Sequence, residues 1–213
     1  MTYIENIFLC LALPMLLSLL FTSGSTRRFT LFVVLGMATC LLSAYVSSFF
    51  MGRHQCSAVT TAIEIAPVCE EILKLLPLLL YFLIFEPDSH KLTPAAIGIA
   101  VGFATFENVC YLTENGAGSF VFLLIRGMSA GALHLVCGIL TGLALAYVFR
   151  RPWLTCTGTV GILGVCMVLH GIYNLLITAD GFWQMVGYFF PSAIIATLFA
   201  ARLLHRGRHT VFR

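Results

Sequence analysis

The stretch APVCEEILKLLPLLLYF, residues 66–82, decides the fold class because it is a long apolar run that nevertheless carries charge. Hydrophobic residues make up 60% of the chain and charged residues 10%, and the mean hydropathy is +0.98. These values exceed those of soluble domains and indicate an integral membrane protein. Within the stretch, Glu70, Glu71 and Lys74 stand at membrane depth, where a charge is costly and usually serves function.

The apolar runs are long enough to form about seven membrane-spanning helices, since one crossing needs roughly 20 apolar residues. We therefore predict an all-α, polytopic helix bundle, with residues 1–213 forming a single integral membrane domain. The first run starts with the acidic MTYIENIF, lacks a signal-peptide cleavage pattern and is expected to be retained. The predicted spans are 4–22, 29–51, 64–85, 92–112, 119–149, 155–178 and 182–203.

The fifth run is too long for a simple crossing. At 1.5 Å per residue, a helix over 119–149 would measure about 46 Å, against roughly 30 Å for the hydrocarbon core. This segment is therefore expected to tilt, to break near Gly127 or Gly131, or to lie partly in the membrane interface.

Basic residues in the loops predict the orientation, because arginine and lysine favour the cytoplasmic side. With seven spans, the loop and tail residues of this kind fall on one side, except for Arg53. We expect the amino terminus to be extracytoplasmic and the carboxyl terminus cytoplasmic. The residues on the predicted cytoplasmic side are Arg27, Arg28, Lys91, Arg150, Arg151, Arg202, Arg206, Arg208 and Arg213.

Several classes of site are not supported by the sequence. The eight cysteines include no C-x-x-C pair, so neither a disulfide framework nor a zinc ribbon is indicated. The chain also lacks a phosphate-binding glycine loop and a basic, aromatic nucleic-acid surface, so no nucleic-acid partner is expected.

Ionisable residues recur at membrane depth on four successive spans. The fourth span carries Glu107, the fifth His134 and the sixth His170, in addition to the charges of the third. Each belongs to a pair spaced i, i+4, which puts both members on one helix face. We expect these faces to meet in one pocket nearer the extracytoplasmic side. The pairs are Glu70 with Lys74, Phe103 with Glu107, His134 with Gly138 and His170 with Asn174.

Carboxylates, imidazoles and an amide in one wet intramembrane pocket suit peptide hydrolysis. A glutamate beside a second carboxylate suits a general base that activates water near neutral pH. A histidine with an asparagine one turn away can donate hydrogen bonds to the oxyanion. The candidate catalytic residues are Glu70, Glu71, Glu107, His134, His170 and Asn174, with structural support expected from Lys74, Phe103, Asn108 and Gly138.

Three alternatives to metal-free proteolysis stay open. Glu107, His134 and His170 would suit zinc with Glu70 as base, but no H-E-x-x-H motif anchors such a site, so no cofactor is favoured. A proton-coupled transporter would also carry intramembrane acids and histidines, although the paired broken helices of inverted repeats are missing. A noncatalytic membrane scaffold would keep the histidines without needing the two adjacent glutamates.

The four motifs together resemble those of the PrsW family of intramembrane proteases. They are E-E-x-x-K at 70–74, F-x-x-x-E-N at 103–108, H-x-x-x-G at 134–138 and H-x-x-x-N at 170–174, within a core of about 64–178. The resemblance implies site-1-type cleavage of single-span membrane proteins in a bacterial cell membrane, typically of an anti-sigma factor. Peptide maturation and bacteriocin immunity are roles of related membrane proteases and stay open.

Residue roles follow from the related type II CAAX prenyl endopeptidases. The resemblance implies that Glu70 is the catalytic glutamate, that His134 is its water-activating partner, and that His170 and Asn174 bind the oxyanion. The CAAX pattern has an arginine one position after Lys74, which favours PrsW over a prenyl-protein processor. A more distant relative is the anterior-pharynx-defective subunit of gamma-secretase, which represents the scaffold alternative.

Overall fold

A computed structural model describes residues 3–85, 87–116 and 119–211, and the regular elements in this part of the chain are all helical. The predicted all-α bundle is confirmed, with one main helix for each predicted span. Arg213, used above for the orientation, lies outside the described residues. The seven main helices are α1 (Ile4–Ser18), α2 (Gly24–His54), α3 (Ala66–Phe85), α4 (Ser89–Asn115), α5 (Phe120–Val148), α6 (Thr155–Thr178) and α7 (Phe182–Val211).

Among the described residues, five helical segments are long and apolar enough to cross a membrane: 24–54, 90–114, 120–148, 152–178 and 182–200. The two remaining main helices fall short for different reasons. Helix α1 has only 15 residues, whereas α3 has 20 residues but includes three charged side chains. Glu70, Glu71 and Lys74 thus distinguish α3 from an ordinary membrane span.

Helix α5 is continuous over its 29 residues and does not break at Gly127 or Gly131. Its length is about 44 Å at 1.5 Å per residue. Tilting, or a position of one end in the interface, therefore remains as the way for α5 to fit the bilayer.

The entry into α3 is a π-helical segment. A single turn, Ala58–Thr60, leads into the π-helix Thr61–Ile65, which runs directly into α3. The N–H of Ala66 donates to the carbonyl of Thr61, five residues back, in place of the α-helical partner four residues back. This change of register lies just before Pro67, about one turn ahead of the acidic pair.

Helix α4 packs very closely against α2. A Cβ atom at Gly36 would overlap the backbone of Ile99, and one at Gly102 would overlap the backbone of Val33. Small residues commonly allow such close approach of membrane helices. This contact places Phe103, which follows Gly102 and is fully buried, at the centre of the bundle.

Helix α5 approaches α4 from its other side. A Cβ at Gly138 would lie 2.7 Å from the Cβ of Ala100, closer than atoms can pack. The close approach of α4 and α5 brings Glu107 and His134 within reach of each other.

Candidate active site

Lys74 neutralises Glu71 and not Glu70. Its Nζ atom donates a hydrogen bond of 2.6 Å to Oε1 of Glu71, and both side chains are buried. The same ammonium group lies 4.4 Å from the ring centroid of Phe103, a cation–π contact. Glu71, and not Glu70, therefore provides the counter-charge of Lys74.

His134 connects this ion pair to α4. Its Nδ1 atom lies 3.0 Å from Nζ of Lys74, and its Nε2 atom lies 2.6 Å from Oε2 of Glu107. An ammonium group can only donate, so Nδ1 accepts and Nε2 carries the hydrogen that is donated to Glu107. The contacts thereby fix the tautomer of His134.

His170 is oriented in a similar way from α3. Its Nδ1 atom lies 3.0 Å from Oε1 of Glu71, and its Nε2 atom lies 3.7 Å from Oε2 of Glu70. An ionised carboxylate accepts hydrogen bonds, so Nδ1 carries the hydrogen that is donated to Glu71, and in the neutral ring Nε2 is the unprotonated nitrogen on the side of Glu70. The rings of His134 and His170 meet edge to face, with their centroids 5.2 Å apart.

Glu70 lies close to both histidines and has a buried oxygen atom without a partner. Within the described part of the chain, its Oε2 atom is buried and has no hydrogen-bond partner. Donor atoms of Glu70, His134 and His170 all lie within 4.8 Å of one another. Unpaired buried polar atoms are uncommon in native proteins and often belong to functional sites. The four predicted polar helix faces do converge, and Glu70 is the member with free capacity.

Glu107 forms the outer edge of this cluster and is held there by Arg126. Arg126 belongs to none of the four sequence motifs. The Glu107 side chain is 29% exposed, and its Oε1 atom lies 3.5 Å from Nη2 of Arg126. Arg126 also donates a 2.7 Å hydrogen bond to Oδ1 of Asn108, and its guanidinium stacks 3.6 Å from the ring centroid of Tyr111. A charged residue inside the apolar run 119–149 was the signal that would have identified it.

Asn174 contacts the backbone and not the acids. Its Nδ2 atom donates a 2.8 Å hydrogen bond to the carbonyl of Ala62, inside the π-helix. One of its two amide hydrogens is therefore already committed. The predicted oxyanion role of Asn174 stays a prediction.

The zinc ligands predicted from the sequence were Glu107, His134 and His170, whereas the structure brings Glu70 together with the two histidines. Glu107 contacts His134 from outside, so the carboxylate that shares a locus with both imidazoles is that of Glu70. One carboxylate and two imidazoles are a donor set that zinc commonly takes, and the unpartnered Glu70 oxygen leaves a coordination position available. These residues fit a divalent cation through Glu70 and Nε2 of His170, whereas His134 could join them only by giving up its contact with Lys74 or with Glu107.

Comparisons with known proteins show which family the sequence is similar to. The family model described as PrsW family intramembrane metalloprotease matches residues 16–201. The chain is 28% identical to Protease PrsW of Bacillus subtilis (strain 168) over 116 residues, which cover 52% of this chain and 49% of that protein. It is 27% identical to Protease PrsW of Geobacillus kaustophilus (strain HTA426) over 141 residues, 64% of this chain and 59% of the relative. The matched region thus spans about half the length of these curated relatives. No solved structure matches the chain significantly.

Proposed function

The chain belongs to the PrsW family of intramembrane metalloproteases, and on this basis we propose that it is a membrane endopeptidase that hydrolyses a peptide bond in a membrane-associated protein or peptide. The observation that carries the proposal is the buried meeting point of Glu70, His134 and His170, where one Glu70 oxygen has no partner. In this proposal, residues 1–213 act as one membrane domain whose catalytic core is 64–178.

Glu70 is the proton acceptor of the proposed reaction. Its Oε2 atom is free to take a proton from an attacking water, a role that typically contributes about 10²–10⁴ in rate. Nε2 of His170, 3.7 Å away, offers a second acceptor on the same side. In neutral His170, the hydrogen bond to Glu71 keeps the single ring hydrogen on Nδ1 and leaves Nε2 as the basic nitrogen. The two adjacent glutamates therefore have separate tasks, one at the water and one behind the histidine.

We place a divalent metal, with zinc as the first candidate, in this proposal, because the family description names metalloproteases and the donor set fits. Glu70 and His170 would hold it, joined by His134 once one of its ring nitrogens is released from Lys74 or from Glu107. A carboxylate has two oxygens, so Glu70 can contact a cation and still accept a proton. A cation bound there would polarise the scissile carbonyl and activate water. The metal-free mechanism favoured from the sequence is the alternative against which the metal is tested.

The proposed substrate is a single-span membrane protein, cut near the extracytoplasmic face in a site-1-type cleavage, for example of an anti-sigma factor. Glu70 lies near the start of α3, whereas Glu107 and His170 lie near the ends of α4 and α6, so all three are close to the same side of the bundle. The distribution of basic residues in the loops supports an extracytoplasmic position for that side. Reporter fusions after Thr113 and after Arg151 should report opposite sides, and two cytoplasmic signals would contradict this orientation.

Cleavage itself is tested with purified protein and a library of single-span membrane substrates, whose products are identified by mass spectrometry. We expect wild-type protein to cut at least one substrate, and Glu70→Gln to lower turnover by about 10²–10⁴ while the protein still folds. Glu64→Gln is the matched control, because Glu64 is an exposed glutamate on the neighbouring π-helix. Normal cleavage by Glu70→Gln would contradict the assignment of Glu70 as the base. Uptake of protons into liposomes without any cleavage would favour the alternative of a proton-coupled transporter.

A further inference from the structure

The π-helix before α3 leaves one backbone carbonyl without its regular partner. In the π register, Ala66 donates to the carbonyl of Thr61, so the carbonyl of Ala62 would be paired with residue 67. Residue 67 is proline, which has no N–H group. The sequence thus combines a register shift and a proline in such a way that the carbonyl of Ala62 needs a donor from elsewhere.

Asn174 supplies that donor from another helix, through the 2.8 Å hydrogen bond from its Nδ2 atom to the carbonyl of Ala62. We propose that Asn174 is a positioning residue that holds the π-helix against α6 and so sets the position of Glu70. This assignment differs from the oxyanion role predicted for Asn174, since the residue acts here through the backbone of residues 61–67 and not on the substrate.

The spacing on both helices explains how the contact reaches Glu70. His170 and Asn174 are one turn apart on α6, so they meet the chain before and within α3 at two levels. His170 contacts Glu70 and Glu71, and Asn174 contacts Ala62. The intervening turn contains Pro67, which is fully buried. The H-x-x-x-N motif therefore acts as a clamp with two contacts, one from His170 to the glutamates and one from Asn174 to Ala62. Loss of the Asn174 contact lets the helical turn that carries Glu70 move relative to His170.

A double-substitution experiment tests this role, because Pro67→Ala restores an N–H where the proline removed one. We compare thermal unfolding midpoints, in one detergent, of wild type, Asn174→Ala, Pro67→Ala and the double variant. Asn174→Ala alone should lower the midpoint by roughly 2–8 °C, because it leaves a carbonyl without a donor. In the Pro67→Ala background, at least half of that loss should disappear, since the backbone then satisfies the carbonyl.

The matched control is the same cycle with Pro77→Ala, since Pro77 also lies inside α3 but does not face the π-helix carbonyls. No coupling to Asn174 is expected there. Equal losses from Asn174→Ala in the wild-type and Pro67→Ala backgrounds would overturn the proposal. Should Pro67→Ala fail to fold, hydrogen exchange decides: Asn174→Ala should accelerate exchange at residues 58–70, and unchanged protection there would overturn the proposal.

Turnover gives a second readout, which rests on the proposed protease function. A misplaced Glu70 should cost Asn174→Ala about 10² in turnover, and Pro67→Ala should reduce this loss. An oxyanion role instead predicts the same loss in both backgrounds, without a change in the unfolding midpoint. The unfolding and exchange measurements need no substrate, so they remain decisive for the clamp even if the chain cleaves nothing.

Discussion

The two histidines of the site are each held by a glutamate, yet the two pairs sit in different surroundings. In the inner pair, Glu71 is 4% exposed and binds His170, while Lys74 supplies the positive charge. In the outer pair, Glu107 is 29% exposed and binds His134, while Arg126 supplies the charge at 3.5 Å. The same chemical arrangement thus occurs once inside the bundle and once at its edge.

The difference in exposure determines what each pair can tolerate. A charge that loses its partner inside the protein has no water to replace it, and removing one member of a buried ion pair typically costs about 3–5 kcal/mol. Water and salt screen a partly exposed pair, whose contribution is typically about 1 kcal/mol or less. The inner pair should therefore govern folding, whereas the outer pair should mainly adjust the orientation of His134.

Removal of the proposed cation between the two pairs should have the largest effect. We expect active protein to contain about one divalent metal ion per chain, and chelation to reduce turnover to the level of Glu70→Gln until metal is returned. Elemental analysis and cleavage assays on the same samples measure this. His170→Ala should lower the metal content, whereas His54→Ala, at an exposed histidine far from the cluster in the sequence, should not. Full activity without stoichiometric metal would restore the metal-free glutamate mechanism.

Removing the positive charge of Lys74 from the inner pair should have the next largest effect. Lys74→Met leaves Glu71 buried without its ammonium partner, so we expect a loss of about 3–5 kcal/mol in stability and poor expression. Yield and thermal unfolding in detergent measure the result. Lys91→Met is the matched control, because Lys91 pairs with the exposed Asp88 at the same i, i+3 spacing and should be nearly silent. If Lys74→Met were well folded and inactive while Glu70→Gln cleaved normally, the lysine, and not Glu70, would be the working base.

Removing the positive charge of Arg126 from the outer pair should have the smallest effect. Arg126→Met should cost about 1 kcal/mol or less in stability and should lower turnover less than tenfold, because solvent reaches Glu107. Arg126→Lys keeps a positive charge near Glu107 but loses the planar fork that also contacts Asn108, so it should lie between wild type and Arg126→Met. If Arg126→Met were as destabilising as Lys74→Met, exposure would not be what distinguishes the two pairs.

Hydropathy and helical periodicity were enough to predict the seven helices and the four polar faces. These signals work because a bilayer forces long apolar helices, and because residues four apart share one face. The meeting of Glu70, His134 and His170 follows from them once the helices pack. The partner of Lys74 did not follow, since Glu70 and Glu71 are both within one turn of it and only packing against His134 and Phe103 selects Glu71.

Backbone acceptors were the least predictable part of the site. The pattern H-x-x-x-N indicated a donor at Asn174, but side-chain spacing says nothing about which carbonyl is left unpaired. That carbonyl depends on the register change at 61–65, which the spacing of side chains does not reveal. Arg126 was missed for a simpler reason: it belongs to none of the four motifs, although an arginine in an apolar run is itself a signal.

The close contact between α2 and α4 has a consequence for how sequences in this family can diverge. Gly36 and Gly102 each face backbone atoms, at Ile99 and Val33, so a substitution there cannot be absorbed by a neighbouring side chain that changes its size. Both glycines should therefore persist among relatives whose surrounding apolar residues vary freely, and an alignment that shows other residues at these positions would contradict this. Invariance at Gly36 and Gly102 would then record a constraint on backbone approach, at positions that take no part in the chemistry of Glu70.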